Sequence, residues 1–197
     1  MPFTERSEKT RAAILAAARR LLTERGYQGT TIRAVAAAAD IDPSMVMRYY
    51  GNKEGLFRAA VDVDLELPSV AETPRERLGV VLARHVVAKW EDQRADELLT
   101  LLLRSASTNA EAAEQLRAVF AQQVVGFVRR VTGDGPEAER RAGLLATQVL
   151  GVALCRYVLR LPPVVAMDAG TLAASLAPVL QHYLLGELDP VAAPGTP

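Results

Sequence analysis

The sequence predicts an all-α protein, and three observations carry that expectation. Alanine and leucine are abundant in a chain of 197 residues that is 50% hydrophobic and only 5% aromatic, a balance that suits helices better than sheets. Apolar residues recur at helical spacing over most of the length, with no alternating stretch long enough for a strand. Gly and Pro punctuate the periodic stretches.

The elements follow in order. A first helix is expected from about Ser7 to Arg25, with Ile14, Ala17, Ala18, Leu21 and Leu22 on one face and Gly26 as its terminator. A second, short one starts at Thr30-Thr31 and carries Ile32, Val35, Ala36 and Ala39 inward. Asp40-Ile41-Asp42-Pro43 is the sharpest local signal. Asp42 can cap a third helix, Pro43 suits its first position, and Ile41 with Val46 can form a hydrophobic staple. That helix ends near Tyr50, and Gly51-Asn52 separates it from a fourth that begins at Lys53, with Leu56, Phe57, Ala60 and Val61 inward. Two short helices around a tight turn make a helix-turn-helix candidate.

Pro68 to Pro74 reads as a link. A fifth helix follows, with Leu78, Val81, Leu82, His85, Val86 and Lys89 in one stripe ending at Trp90. Leu98 to Leu103 is apolar nearly all round and is expected to be buried. Asn109 opens a long helix whose inner face is Leu116, Val119, Phe120, Val124, Phe127, Val128 and Val131, closed by Gly133-Asp134-Gly135-Pro136. Two more helices, Pro136 to Leu161 and Ala169 to Leu185, are split by Pro162-Pro163, with a kink expected at Pro178.

Composition excludes several function classes. Cys155 is the single cysteine, so no internal disulfide or cysteine metal cluster can form, and a reducing, cytoplasmic setting is expected. The first residues lack the apolar core of an export signal. The most apolar stretch, Ala142 to Cys155, is too short to span a bilayer and reads as a buried helix, so no membrane partner is expected. With only His85 and His182, one cysteine and no glycine-rich phosphate loop, neither a metal site, a cofactor site nor a catalytic triad assembles from the sequence. The charges balance at 23 Lys+Arg against 23 Asp+Glu. They are unevenly placed: residues 1–60 hold ten basic against six acidic side chains, net +4, and the rest is −4. An anionic partner should therefore meet the first 60 residues.

The third helix supplies the chemistry for such a partner. With Val46 and Tyr50 inward, Pro43, Ser44, Met47 and Arg48 turn outward. Arg48 can donate to a guanine edge or a phosphate, Tyr49 carries a hydroxyl at phosphate reach, and Met47 offers a soft apolar contact. Thr31 and Lys53 lie at the N-termini of the flanking helices, where backbone N–H groups favour phosphate. Spacing alone equally allows an ordinary solvated rim.

The segment TTIRAVAAAADIDPSMVMRYYGNKEGLF, Thr30 to Phe57, preceded by Gly26-Tyr27, resembles the DNA-binding region of the TetR family of transcriptional regulators. The likeness covers about residues 10–60; beyond it only the helical layout is similar. It implies that Thr31, Arg33, Ser44, Met47, Arg48, Tyr49 and Lys53 meet double-stranded operator DNA, with Pro43 on the same outward face. The departures are Asp40 where Gly is usual, Asp42 for Ser, Met47 for Tyr and Tyr49 for His. Asp tolerates a left-handed turn, so the turn can survive, while sequence preference does not transfer.

The resemblance further implies an N-terminal three-helix helix-turn-helix DNA-binding domain (residues 1–52) and a helical-bundle ligand-binding and dimerisation domain (53–188); the tail 189–197, with its three prolines, is expected to be disordered. The expected protein is a homodimeric repressor, its recognition helices about 34–36 Å apart on a pseudo-palindromic operator, released by a small-molecule effector. Candidate effector contacts are His85, Trp90, Arg104, Phe120, Phe127 and Cys155. For each a structural reading stands beside the functional one: a satisfied core histidine, plain aromatic core, a snorkelling arginine, a small buried thiol. Candidate dimer residues are Leu145, Val149, Val152, Leu176 and Leu180. Two other classes stay open: a helical adaptor that uses the Met47–Tyr50 face for protein, and a cofactor-free helical enzyme.

Overall fold

All regular structure among the described residues of the computed structural model, 5–91 and 93–188, is helical. The order is α1 (Glu5–Gly29), α2 (Ile32–Ala38), α3 (Pro43–Tyr50), α4 (Lys53–Ala60), α5 (Leu78–Glu91), α6 (Gln93–Ser105), α7 (Ala110–Val119), α8 (Val125–Thr132), α9 (Pro136–Ala153), α10 (Pro162–Val165) and α11 (Ala169–Leu185). Five-residue π-turns, Phe120–Val124 and Leu154–Val158, precede α8 and follow α9. The tail expected at 189–197 lies outside the described residues.

Packing divides the chain into two units, Met1–Asp64 with Asp92–Val119, and Leu65–Glu91 with Phe120–Pro197. These units are not the same as the stretches 1–52 and 53–188. Helix α4 packs on α1 and α7, while α6 packs on α1 and α7. Their apolar residues, Leu56, Phe57, Leu99 and Leu102 among them, are buried, so helices assigned to the second domain by position complete the first.

In the first unit α1 buries the expected stripe of Ile14, Ala17, Ala18, Leu21 and Leu22. Gly26 breaks its helical geometry at φ 66°, a left-handed value that favours glycine. Thr30 closes the bend, its hydroxyl donating to the Gly26 carbonyl at 2.8 Å. Arg19 donates to the Ala60 carbonyl at 2.8 Å, tying the end of α4 to α1.

In the second unit α5 and α11 form the most extensive pair. Leu78, Leu82, Ala83 and Val87 of α5 meet Leu172, Ala173, Leu176, Leu180 and Leu184 of α11, with Phe127, Val128 and Val131 of α8 and Ala142 and Leu145 of α9 in the same core. The buried face of α5 therefore includes Gly79 and Ala83, off the expected stripe, because α11 comes too close for larger residues. A Cβ on Gly79 would lie 2.5 Å from the Ala177 carbonyl oxygen.

Two further expectations change. The Ala142–Cys155 stretch is not buried all round: Leu150 and Leu154 are exposed. Pro162-Pro163 opens the one-turn helix α10 and does not merely separate two longer helices. Pro178 lies within α11, which runs as one element. No helix among the described residues is long and apolar enough to cross a membrane.

Candidate nucleic-acid interface

Helices α2 and α3 are each set by their own caps. Thr31 Oγ1 accepts from the Ala34 N–H at 3.1 Å, and Asp42 Oδ1 accepts from the Ser44 N–H at 2.8 Å, so each satisfies an orphan donor of its helix. Hydrogen bonds from the side chain and backbone of Ser44 hold the Asp42 carboxyl below its usual range. The turn between the helices passes through Asp40 at φ 54°, and the Ile41 N–H reaches back to the Ala36 carbonyl at 3.0 Å, a Schellman-like closure. Asp thus occupies the left-handed position expected of it.

This local geometry fixes which residues of α3 face out. Val46 is buried and Tyr50 half-buried, while Pro43, Ser44, Arg48 and Met47 are exposed, Met47 to 45%. A long thioether left open beside an arginine has no structural task in the unit. Thr31 and Arg33 are also exposed. Because Thr31 accepts the cap bond, its O–H proton can still be donated outward.

Lys53 is held by a group the sequence reading did not single out. Its Nζ sits 4.3 Å from the centroid of the Tyr27 ring, a cation–π geometry. The Tyr27 hydroxyl donates to Glu54 at 3.1 Å, and its ring meets Phe57 edge-on at 4.9 Å. Burial, then the hydrogen bond to Glu54, pushes the Tyr27 hydroxyl up to about 12. The dipeptide Gly26-Tyr27 was the available signal for this role.

Tyr49 is corrected. Its hydroxyl lies 3.2 Å from Ser7 Oγ of α1, and the adjacent Tyr50 hydroxyl donates to the Arg11 carbonyl at 3.4 Å. The tyrosine pair pins the end of α3 to the start of α1, and Tyr49 is not a hydroxyl left pointing outward. Nothing local marks a partner 42 positions away.

The candidate effector residues are not brought together. Arg104 is exposed and lies in the first unit, the other five in the second. His85 Nε2 is 2.7 Å from the Leu65 carbonyl, the satisfied-histidine arrangement. Phe127 is packed in the core, and Phe120 lies against its margin. Trp90 is buried and stacks on Tyr157 at 5.4 Å and 8° between planes. Cys155 is half-buried in the second π-turn. Around that turn Arg156 donates to Glu91 at 2.9 Å and to the Val164 and Met167 carbonyls at 2.6 and 2.9 Å, and Tyr157 donates to the same Glu91 oxygen at 3.1 Å. An open groove of about 650 Å³ runs between α5 and α11, lined by Val80, Arg84, Val87, Ala173, Ala177 and Gln181 among others, and none of the six candidates borders it.

The candidate dimer residues all lie in or against one core. Leu145, Leu176 and Leu180 are 5, 3 and 0% exposed, inside the core of their own unit, and Val149 and Val152 pack against that core. The open apolar residues of this region are Leu150, Leu154, Leu159, Leu161 and Val165. A Cβ at Gly143 or Gly151 would meet no atom within 4 Å.

Comparison with known proteins matches the chain in two consecutive stretches, the second of which takes in α6 and α7. Residues 14–60 match the model of bacterial regulatory proteins of the tetR family, and residues 76–184 match that of the tetracyclin repressor-like C-terminal domain. The HTH-type transcriptional regulator BetI of Rhizobium meliloti (strain 1021) is 28% identical over 125 residues, 52% of this chain and 62% of that protein. The match thus spans less than two thirds of that curated relative's length. A TetR-family regulator from Streptomyces coelicolor A3 superposes with a TM-score of 0.65 at 29% identity, covering 93% of this chain and 99% of its own. NalD, the secondary repressor of the MexAB-OprM multidrug efflux pump in Pseudomonas aeruginosa, superposes at 0.67 with 25% identity over 92 and 98% of the two chains. A capped helix-turn-helix joined to a matching C-terminal helical region places this chain in the TetR family of transcriptional regulators.

Proposed function

We propose that the protein is a repressor that binds a pseudo-palindromic operator as a homodimer and is released when a small molecule occupies its second unit. The observation that carries this reading is the outward face of α3: Ser44, Met47 and Arg48 open to solvent on a helix whose start, turn and end are all fixed. In the bound state Arg48 and Met47 read base edges in the major groove, while Thr31, Arg33 and Lys53 donate to phosphates on either side. Pro43 and Ser44 lie at the N-terminal end of the helix, against the groove wall. Tyr49 acts by holding α3.

The outward face of α9 supports the dimer. Leu150 is exposed on it and Leu154 at the start of the π-turn that follows, and Gly143 and Gly151 leave room for a second helix to come close. The effector reading is supported by the groove between α5 and α11, whose volume suits a small organic molecule. Such a molecule can release DNA only by its difference in affinity between the binding and non-binding states.

The test is selection from a pool of random DNA duplexes by the full-length protein, followed by affinity measurements across a salt series and by sedimentation. Enrichment of a two-fold symmetric sequence bound by a dimer, with affinity falling steeply as salt rises, is the expected outcome. Leu150→Asp should give monomers that bind the selected duplex poorly. Failure to enrich any sequence, with binding indifferent to salt, would turn the α3 face into a protein-binding surface.

A further inference from the structure

The chain passes between its two units three times, after Asp64, after Glu91 and after Val119. On the second unit's side, side chains from the stretches that adjoin all three passages meet the backbone of one residue, Leu65. The Leu65 N–H, at the first passage, donates to Gln123 Oε1 at 2.7 Å. Gln123 lies in the π-turn Phe120–Val124 that begins at the third passage. The Leu65 carbonyl lies 2.7 Å from His85 Nε2, on α5, the helix that ends at the second passage. A carbonyl can only accept, so Nε2 carries the proton. The next residue, Glu66, is held at φ 49°, and its carboxylate pairs with Lys89 Nζ, also on α5, at 2.7 Å.

Two features suit this contact to a switch. Residues 62–69 contain no helix, so no helical backbone ladder holds them, and beside the packing of Val63 and Leu67 they depend on side-chain bonds to Leu65 and Glu66. A non-glycine residue keeps a left-handed conformation only while its surroundings impose it, so loss of the Leu65 bonds lets Glu66 relax to an extended conformation. The π-turn has a matching role, since such single turns re-aim a side chain out of helical register, and here the residue so aimed is Gln123.

We propose that His85, Gln123 and Lys89 are positioning residues that couple the second unit to DNA affinity by clamping Leu65 and Glu66. The inference rests on the DNA-binding reading above. When a molecule occupies the second unit and displaces α5 or the π-turn, the clamp opens, and the segment that follows α4 is freed. The coupling equals the difference in free energy between the clamped and open states, shared by both sites. His85 thereby takes a part in regulation without touching an effector.

The test uses the full-length protein, the duplex selected by the wild type, and the variants Gln123→Met, His85→Phe and their double. Each single variant should speed hydrogen exchange at the Leu65 amide and change affinity for the selected duplex by about fivefold or more in the same direction. The double should match the singles, because either change opens the same clamp. Gln123→Glu keeps the accepting oxygen and should restore both readouts. Faster exchange with unchanged DNA affinity would reduce the clamp to a local brace and overturn the proposal, as would additive effects. If the wild type selects no duplex, the DNA-binding reading itself fails and the coupling falls with it. If the wild type selects one and the variants bind it equally well, only the coupling is wrong.

Discussion

The two units solve the same problem of packing helices in opposite ways. In the first, short helices are set by residues inside or beside them: Thr31 caps α2, Asp42 caps α3, Asn52 caps α4 through the Gly55 N–H at 2.7 Å, and Gly51 turns the chain at φ 76°. In the second, long helices are set by distant partners: Gly79 admits α11, Gln181 accepts from the Gly79 N–H at 2.6 Å, and Arg156 gathers the carbonyls of the α10 region. Local setting gives a surface whose exposed residues are free to meet a ligand without disturbing the fold. Distant setting gives a unit that a ligand can deform, because each contact joins separate elements.

Glycine replacements should break this contrast most forcefully. In each unit one helical glycine lies against a backbone carbonyl, Gly55 beside Tyr50 and Gly79 beside Ala177. Either change to Ala overpacks the contact and should cost about 1–3 kcal/mol in thermal or denaturant unfolding. Hydrogen exchange should locate the damage of Gly55→Ala at the α3–α4 turn alone, and that of Gly79→Ala along the whole of α5 and α11. Damage spread equally by both would show that the first unit is no more local than the second.

Next come the two cations of the proposed interface. Arg48→Ala should lose about 1–3 kcal/mol of discrimination at one operator position, whereas Lys53→Ala should weaken all duplexes alike and lower the salt slope by about 1. Identical behaviour would remove the distinction between base reading and phosphate anchoring. A smaller effect, about 1 kcal/mol of stability, is expected for Thr31→Ala, with Thr31→Ser close to wild type. That result would confirm the cap, and any extra loss of DNA affinity beyond it would report the outward O–H.

The smallest effect is alkaline. Tyr27 in the first unit and Tyr157 in the second are each pushed up to about 12, by burial first and then by Glu54 and Glu91 respectively. Both protons are therefore held more tightly in the folded state than at the ordinary value of 10.0. Their contribution is full below pH 10 and is lost as the pH rises toward about 12. Tyrosinate absorbance should show two late-titrating groups, and Tyr27→Phe and Tyr157→Phe should each remove one.

How much of this was legible in the sequence follows the same division. The cap Asp42 and the outward Met47 and Arg48 are properties of a few neighbouring residues, so spacing and residue type suffice, whereas the left-handed Asp40 was expected only through the family resemblance. The transfer of α6 and α7 to the first unit was not legible, because contact between α1 and α6 joins residues far apart along the chain. Leu145, Leu176 and Leu180 carry the same apolar signal whether they face their own core or a partner. Gly79 and Ala83 escaped a search for large apolar residues, since close approach is written as the absence of a side chain. The π-turns Phe120–Val124 and Leu154–Val158 contain no Gly or Pro, so no turn residue marks them in the sequence.

The anchoring of α3 has a practical side. Ser7 and Arg11, in the opening turns of α1, receive the hydroxyls of Tyr49 and Tyr50 at the far end of the recognition helix. The opening turns of α1 are therefore a poor place to label or to graft a purification handle. A change there would loosen α3, and under the proposed function a weakened gel shift would then be mistaken for a weak regulator.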